Sequence, residues 1–239
     1  MAMENKKIYF ITGADRGLGF SLCKLLLEKG NIVFAGQYMR EWKALSCLQE
    51  EYPDSLVCIP FNVTDMDQIK EAAATVVRFT NHIDVLVNCA GINGQIRDIR
   101  EGYDYERMLN VLNVNALGPI RVVEAFLPLL SAGDRKIWCV SSEAGSIGEC
   151  WRKDETEYCM SKAALNMGIQ ILHNLLHKED YEFRLYHPGW MNTYMTGSKE
   201  TKADLDPDIA AKLLLKQLQH EKVKDTLYLE GYDGKIWSW

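Results

Sequence analysis

Proline is scarce, with 6 residues in 239, and no stretch rich in Pro, Gly or Ser divides the chain, so linked segments are not expected. No repeat and no low-complexity tract appears. A Lys/Arg block is also lacking, and the formal net charge is −6 with a pI near 5.5; nucleic acid is therefore not an expected partner. The opening "MAMENKK" runs straight into an apolar strand without a signal-type region, and no apolar run of about 18 residues stands out. These absences point to a soluble, cytoplasmic protein with no membrane partner. Seven cysteines (Cys23, Cys47, Cys58, Cys89, Cys139, Cys150 and Cys159) are odd in number and contain no C-x-x-C pair. They read as reduced core thiols rather than disulfides or zinc ligands. "HNLLH" sets His173 and His177 one helical turn apart but lacks the Glu of H-E-x-x-H and an evident third ligand, so no metal site is expected.

What is present is alternation. Hydrophobic residues make up 47% of the chain, enough for a sizeable core, and the length suits one domain over 1–239. Seven β-rich runs, "KIYFIT", "NIVFAG", "LVCIPF", "IDVLVN", "KIWCVS", "FRLYHP" and "TLYLEG", are separated by helical-period stretches at 17–29, 41–51, 65–80, 104–131, 156–178 and 206–220. Their near-continuous apolar character predicts an α/β fold with a doubly wound parallel sheet, a Rossmann fold, carrying helices on both faces. The one long irregular stretch, 187–206, is a candidate lid or binding loop.

In such sheets ligands bind beyond the carboxyl ends of the strands, where strand order reverses. "FITGADRGLGFSL" places Gly13, Gly17 and Gly19 at the first strand-to-helix junction, with Asp15, Arg16 and Leu18 between them. Gly13 allows a sharp turn, Gly17 lets a pyrophosphate approach backbone N–H groups, and Gly19 packs the helix on the sheet with its dipole facing the anion. Farther on, Tyr158 and Lys162 stand four residues apart near a helix start, so both project from one face. A free phenol has a pKa near 10, and an adjacent ammonium is expected to lower it, making Tyr158 useful in proton transfer near neutrality.

"TGADRGLG", "NCAG" (88–91), Asn115 in "NVNALGP", Ser142 in "VSSEAG", "YCMSK" (158–162) and "HPGWMNT" (187–193) resemble, in that order, the motif series of the short-chain dehydrogenase/reductase family. The resemblance covers nearly the whole chain, and "GSIGE" before "YCMSKAALNM" looks like the carbonyl-reductase and C-factor-like branch. It implies an oxidoreductase in which Ser142 hydrogen-bonds the substrate oxygen, Tyr158 transfers the proton, Lys162 also binds the nicotinamide ribose and Asn115 holds a water chain. Ser141 is the rival for the serine role. By the same resemblance Asn88 steadies the sheet, Ala90 and Gly91 leave room for the adenosine ribose, and Asn62 and Val63 sit where the adenine is held. Asn62 replaces the family's acidic residue there, and its amide oxygen is expected to accept the adenine amino group. Pro188 and Gly189 form the turn after a strand, and Thr193 binds the carboxamide.

The separation of 16 residues from Ser142 to Tyr158 exceeds the family's usual spacing, and the extra "GECWRKDETE" is expected to rim the substrate pocket. Trp151, Trp190, Met191, Tyr194 and Met195 suggest a roomy aromatic pocket, with Glu149 and Arg152 adding charge at its rim. An NAD-selective site carries an acid at the end of strand 2, where this chain has "AGQYMRE". Gly36, Gln37 and Tyr38 supply no carboxylate, whereas Arg16 and Arg40 are in reach of a 2′-phosphate, so NADP(H) is the preferred cofactor and NAD(H) the second choice. The expected partner is a small-molecule carbonyl or alcohol substrate. The helices at 104–131 and 156–178 resemble those through which family members pair, so a homodimer or homotetramer is compatible, as is a monomer. A non-catalytic dinucleotide-binding regulatory or signalling protein on the same scaffold is the alternative.

Overall fold

The structure, a computed structural model, describes residues 6–195, 201–218 and 225–239. Its strands are β1 (Ile8–Ile11), β2 (Ile32–Gln37), β3 (Leu56–Pro60), β4 (Val85–Asn88), β5 (Lys136–Val140), β6 (Glu182–His187), β7 (Leu229–Gly231) and β8 (Ile236–Trp237). They form one sheet in the order β3-β2-β1-β4-β5-β6-β7-β8, parallel throughout except for the β7–β8 pair. The order reverses between β1 and β4, and that switch point opens the cleft in which the site lies.

Both faces of the sheet are covered, which explains the unbroken apolar strands: every residue of β1 and β4 is buried. On one face Phe10, Phe34, Leu86 and Ile137 pack with Phe126, Ile69 and Ile169 from α5 (Gly118–Ser131), α3 (Met66–Val77) and α6 (Thr156–Leu176). On the other, Ile11, Val33, Val85 and Trp138 meet Leu22, Leu45 and Leu214 from α1 (Gly17–Glu28), α2 (Ala44–Glu51) and α7 (Pro207–Leu218). Phe10 and Phe126 meet at a tilt with 4.2 Å between ring centroids, and each fully buried phenylalanine contributes roughly 1.5–3 kcal/mol.

Four expectations need correction. The helical stretch at 104–131 is three pieces: α4 (Tyr105–Leu112), a π-helical turn at Asn113–Leu117 and α5. Strand β8 escapes the sequence pattern because two residues are too few to show alternation. Cys47 and Cys150 are exposed rather than core residues, although all seven cysteines are free. The stretch 187–206 is also less irregular than expected. It is pinned by a bridge between Met191 and Leu205 and by the Asn192 N–H donating to the Leu205 carbonyl at 2.8 Å; its residues 196–200 lie outside the described ones, as do 219–220 of the last helical stretch.

Taken together, α4, the π-helical turn and α5 (Tyr105–Ser131) make, among the described residues, the one helical run long and apolar enough to cross a membrane. Half of that apolar window is buried inside the fold, as in a core helix.

Candidate active site

The β1–α1 loop is shaped by close backbone approach. Gly13 has φ +65°, and a Cβ on it would stand 2.7 Å from the Ala90 Cα, so the loop lies directly against the end of β4. A Cβ on Gly19 would come 2.2 Å from the Gly13 carbonyl oxygen, which fixes α1 tightly on its own entry turn. Thr12 fastens this junction, its Oγ1 accepting from the N–H groups of Cys89 and Ala90 at 3.0 Å. Leu18 is buried beneath the loop. At the N-terminus of α1 no side chain caps the free N–H groups and the first turn carries no acid. Those donors, with Gly17 at φ +58°, form a cradle that suits a pyrophosphate.

Asp15 is buried, and its Oδ1 accepts from the Met39 N–H at 3.0 Å, so it acts by tying the loop to the end of β2. Burial raises its pKa, opposed by the backbone N–H donors. The Arg16 guanidinium lies 5.0 Å from the centroid of Trp42, which meets Tyr194 edge-on at 4.8 Å. Arg40 is exposed just beyond β2. Asn62 does not have the free acceptor expected of it: its Oδ1 already accepts from the Thr64 N–H at 3.0 Å and from the Thr64 hydroxyl at 2.8 Å. Both lone pairs are used in a local turn. Val63 is buried against Gly118.

At the other end of the cleft, the β4, β5 and β6 termini meet α6. Ser141 is committed to structure, donating to Asn166 Oδ1 at 2.6 Å, while Ser142 donates to Glu143 Oε2 at 2.6 Å and accepts from the Ala144 N–H at 3.1 Å. Lys162 is buried, donates to the Val140 carbonyl at 3.0 Å and stands 5.6 Å from the Tyr158 ring centroid. Asn115 sits in the π-helical turn, donating to the Ile92 carbonyl at 2.9 Å and to Ser161 Oγ at 3.0 Å, and accepting from the Ile92 N–H. A Cβ on Gly91 would lie 3.4 Å from Asn115 Oδ1 and 3.8 Å from Lys162 Nζ, so the "NCAG" segment passes over both. Asn88 is buried, with Nδ2 3.6 Å from Cys139 Sγ and Oδ1 without a partner. After Pro188, Gly189 takes φ +83° and the chain crosses the cleft, bringing the Thr193 methyl within 3.4 Å of a Cβ placed on Gly17.

Burial raises the Tyr158 pKa well above the usual phenol value; Ser142 lowers it, Glu143 and Glu155 raise it, and Arg152 lowers it. Burial pulls Lys162 itself down to about 8.

Two acids went unnoticed in the sequence. Glu157, buried beside Tyr158, accepts from the Gln95 N–H at 2.6 Å and pairs with Arg107 at 3.3 Å, holding the segment after Gly91 against α4 and α6. Glu143 accepts from the Ser142 hydroxyl at 2.6 Å, pairs with Arg152 and lies 3.2 Å from His187 Nδ1. Arg152 therefore reaches inward and does not simply charge the rim, and it also pairs with Glu155. Glu149 is drawn the other way, to Lys235 and Ser238 of the terminal hairpin. Trp151 and Trp190 are exposed, and Tyr194 faces Trp42 on the nucleotide side. His173 and His177 stack on each other, and no metal-binding cluster occurs among the described residues.

A glycine cradle at a helix N-terminus facing a Ser–Tyr–Lys group across the switch point defines a class, the dinucleotide-dependent oxidoreductases built on one α/β sheet. The short chain dehydrogenase family model matches residues 7–204, and the chain belongs to that family. An uncharacterized oxidoreductase of Schizosaccharomyces pombe is 33% identical over 256 residues, covering 99% of each chain. The C-signal protein of Myxococcus xanthus is 39% identical over 126 residues, 51% of this chain and 74% of that one. The NADPH-bound carbonyl reductase from chicken fatty liver superposes with a TM-score of 0.88 at 29% identity, covering 99% of this chain and all of the other.

Proposed function

We propose that the chain, as one domain over 1–239, is an NADP(H)-dependent carbonyl reductase that converts a ketone or aldehyde to an alcohol in the cytoplasm. The observation that carries this reading is the buried Lys162 ammonium, set 5.6 Å from the Tyr158 ring centroid and under Gly91 at the end of β4, the strand against which the glycine loop also packs. The likeness to an NADPH-bound carbonyl reductase over the whole chain supports it. Gly13, Gly17 and Gly19 with the N–H groups of α1 hold the pyrophosphate, Arg16 and Arg40 the 2′-phosphate, Ala90 and Gly91 the adenosine ribose, and Thr193 the carboxamide.

The dinucleotide supplies the hydride. Ser142 fixes the carbonyl oxygen, and the Tyr158 phenol gives its proton to the alkoxide that develops there. Lys162 holds the nicotinamide ribose, and Asn115 keeps the segment beneath it in register for the proton relay. The regulatory alternative keeps the cradle but needs none of these four side chains, and their joint presence argues against it. Monitoring NADPH oxidation over a panel of ketones and aldehydes separates the two. Turnover is expected; tight NADPH binding with no turnover on any member would favour the regulator.

A further inference from the structure

Resting on that reading, we propose that Trp42 is a positioning residue that sets the choice between NADPH and NADH, by holding the Arg16 guanidinium over its ring with the N–H donors left for the 2′-phosphate. Arg16 is the residue before α1, at the mouth of the N–H cradle, and its backbone is extended (φ −162°, ψ 174°). Its Cζ lies 5.0 Å from the Trp42 ring centroid. A cation over an aromatic ring is held by the ring quadrupole, and that attraction spends none of the guanidinium's five donors. Among the described residues no carboxylate pairs with Arg16: the adjoining Asp15 accepts from the Met39 N–H instead, and β2 runs out in Gly36, Gln37 and Tyr38. A half-buried guanidinium without an acid against it is thus ready for an anion.

Trp42 is itself held in place. Its N–H donates to the Met39 carbonyl at 3.3 Å, closing the turn after β2, and the Met39 N–H is the group that binds Asp15 at 3.0 Å. Both members of the Arg16–Trp42 pair therefore belong to one hydrogen-bonded junction between the glycine loop and that turn. The indole also meets Tyr194 edge-on, at 4.8 Å and 69°, from the segment that brings the Thr193 methyl toward Gly17. An arginine side chain loses much rotamer freedom when it is fixed; here that ordering is made in the free protein, so an anion meets a cation already placed. A neutral 2′-hydroxyl gains little from such placement, whereas a phosphate takes charge-assisted bonds from it. Selectivity for the phosphorylated cofactor then depends on the ring as well as on the charge.

The test is calorimetric titration of the ligand-free protein with adenosine 2′,5′-bisphosphate and with 5′-AMP, two probes that differ in that one phosphate. Wild type should bind the bisphosphate more tightly. Trp42→Leu should weaken the bisphosphate roughly threefold to tenfold and leave 5′-AMP within about twofold, while Trp42→Phe, which restores an aromatic face, recovers most of the loss. On an Arg16→Ala background Trp42→Leu should weaken the bisphosphate no further, because the ring acts only through that cation. The ratio of kcat/KM for NADPH over NADH should fall in the same order. Bisphosphate binding unchanged or tightened in Trp42→Leu, or an equal loss for both probes, overturns the proposal. A loss in Trp42→Phe as large as that in Arg16→Ala overturns it too, and this arm decides alone if Trp42→Leu does not fold. Wild type binding both probes alike removes the NADP(H) assignment and the proposal with it, and a preference that survives Arg16→Ala overturns the proposal by placing the phosphate elsewhere. A preference that Arg16→Ala abolishes and Trp42→Leu leaves intact removes only the role of Trp42. Because the titration needs no turnover, failure of the carbonyl-reductase chemistry at Tyr158 is read separately.

Discussion

Lys162 carries an electrostatic cost in the cleft. Burial takes its ammonium from the ordinary 10.5 to about 8, a displacement of roughly 3 kcal/mol. Because the folded value lies below the unfolded one, the unfolded chain binds the extra proton between about 8 and 10.5. The cost is therefore present in full below about 8 and is relieved as pH rises through that window. Lys162→Met should raise the melting temperature of the ligand-free protein at pH 7 and lose that gain near pH 10, while carbonyl reduction collapses. A variant less stable than wild type at pH 7 would show that the Val140 hydrogen bond outweighs desolvation. The sequence spacing was enough to place Tyr158 and Lys162 on one face, but not to aim the ammonium, since its partner is a backbone carbonyl 22 residues away in the chain. Glu143 stood in plain view inside "VSSEAG", yet only the fold brings Arg152 and His187 to it.

At the scale of elements, the glycine loop was legible because its constraint is local: a strand end, a left-handed turn and a helix start are written in consecutive residues. The reason for Gly19 was only partly legible, since what a side chain there would strike is the carbonyl of Gly13. Gly19→Ala should therefore displace the loop and not merely crowd the sheet; we expect a loss of about 1–3 kcal/mol in stability and at least tenfold weaker NADPH binding, measured by denaturant unfolding and by cofactor fluorescence titration. Unaltered binding would mean that the loop does not hold the pyrophosphate. The π-helical turn at Asn113–Leu117 was not legible at all. Apolar periodicity carries smoothly through 104–131, and one wide turn shifts the register without changing composition. That turn sets Asn115 against Ile92, in keeping with the frequent use of π-turns at functional sites.

The whole molecule decides the cofactor. The parallel sheet and its two helical layers followed from alternation in the sequence, because a buried parallel sheet needs continuous apolar strands, whereas the order of the strands is seen only in the structure. The missing acid after β2 followed from the sequence as well. What did not was the placement of Arg16 over Trp42 and the edge-on contact of Trp42 with Tyr194, which joins the glycine loop to the segment after β6 and exists only once the sheet brings those loops together. Arg16→Ala should raise the Michaelis constant for NADPH far more than that for NADH. If NADH serves wild type equally well, and Arg16→Ala and Arg40→Ala both leave the NADPH constant unchanged, the 2′-phosphate is not held there. The central claim, that this fold performs proton-coupled carbonyl reduction through Tyr158, is tested most directly by Tyr158→Phe assayed beside wild type for both NADPH binding and NADPH oxidation with a carbonyl substrate. The account predicts binding near wild type and turnover reduced by at least about two orders of magnitude, the proton donor being lost while the ring stays; near-normal turnover would contradict it.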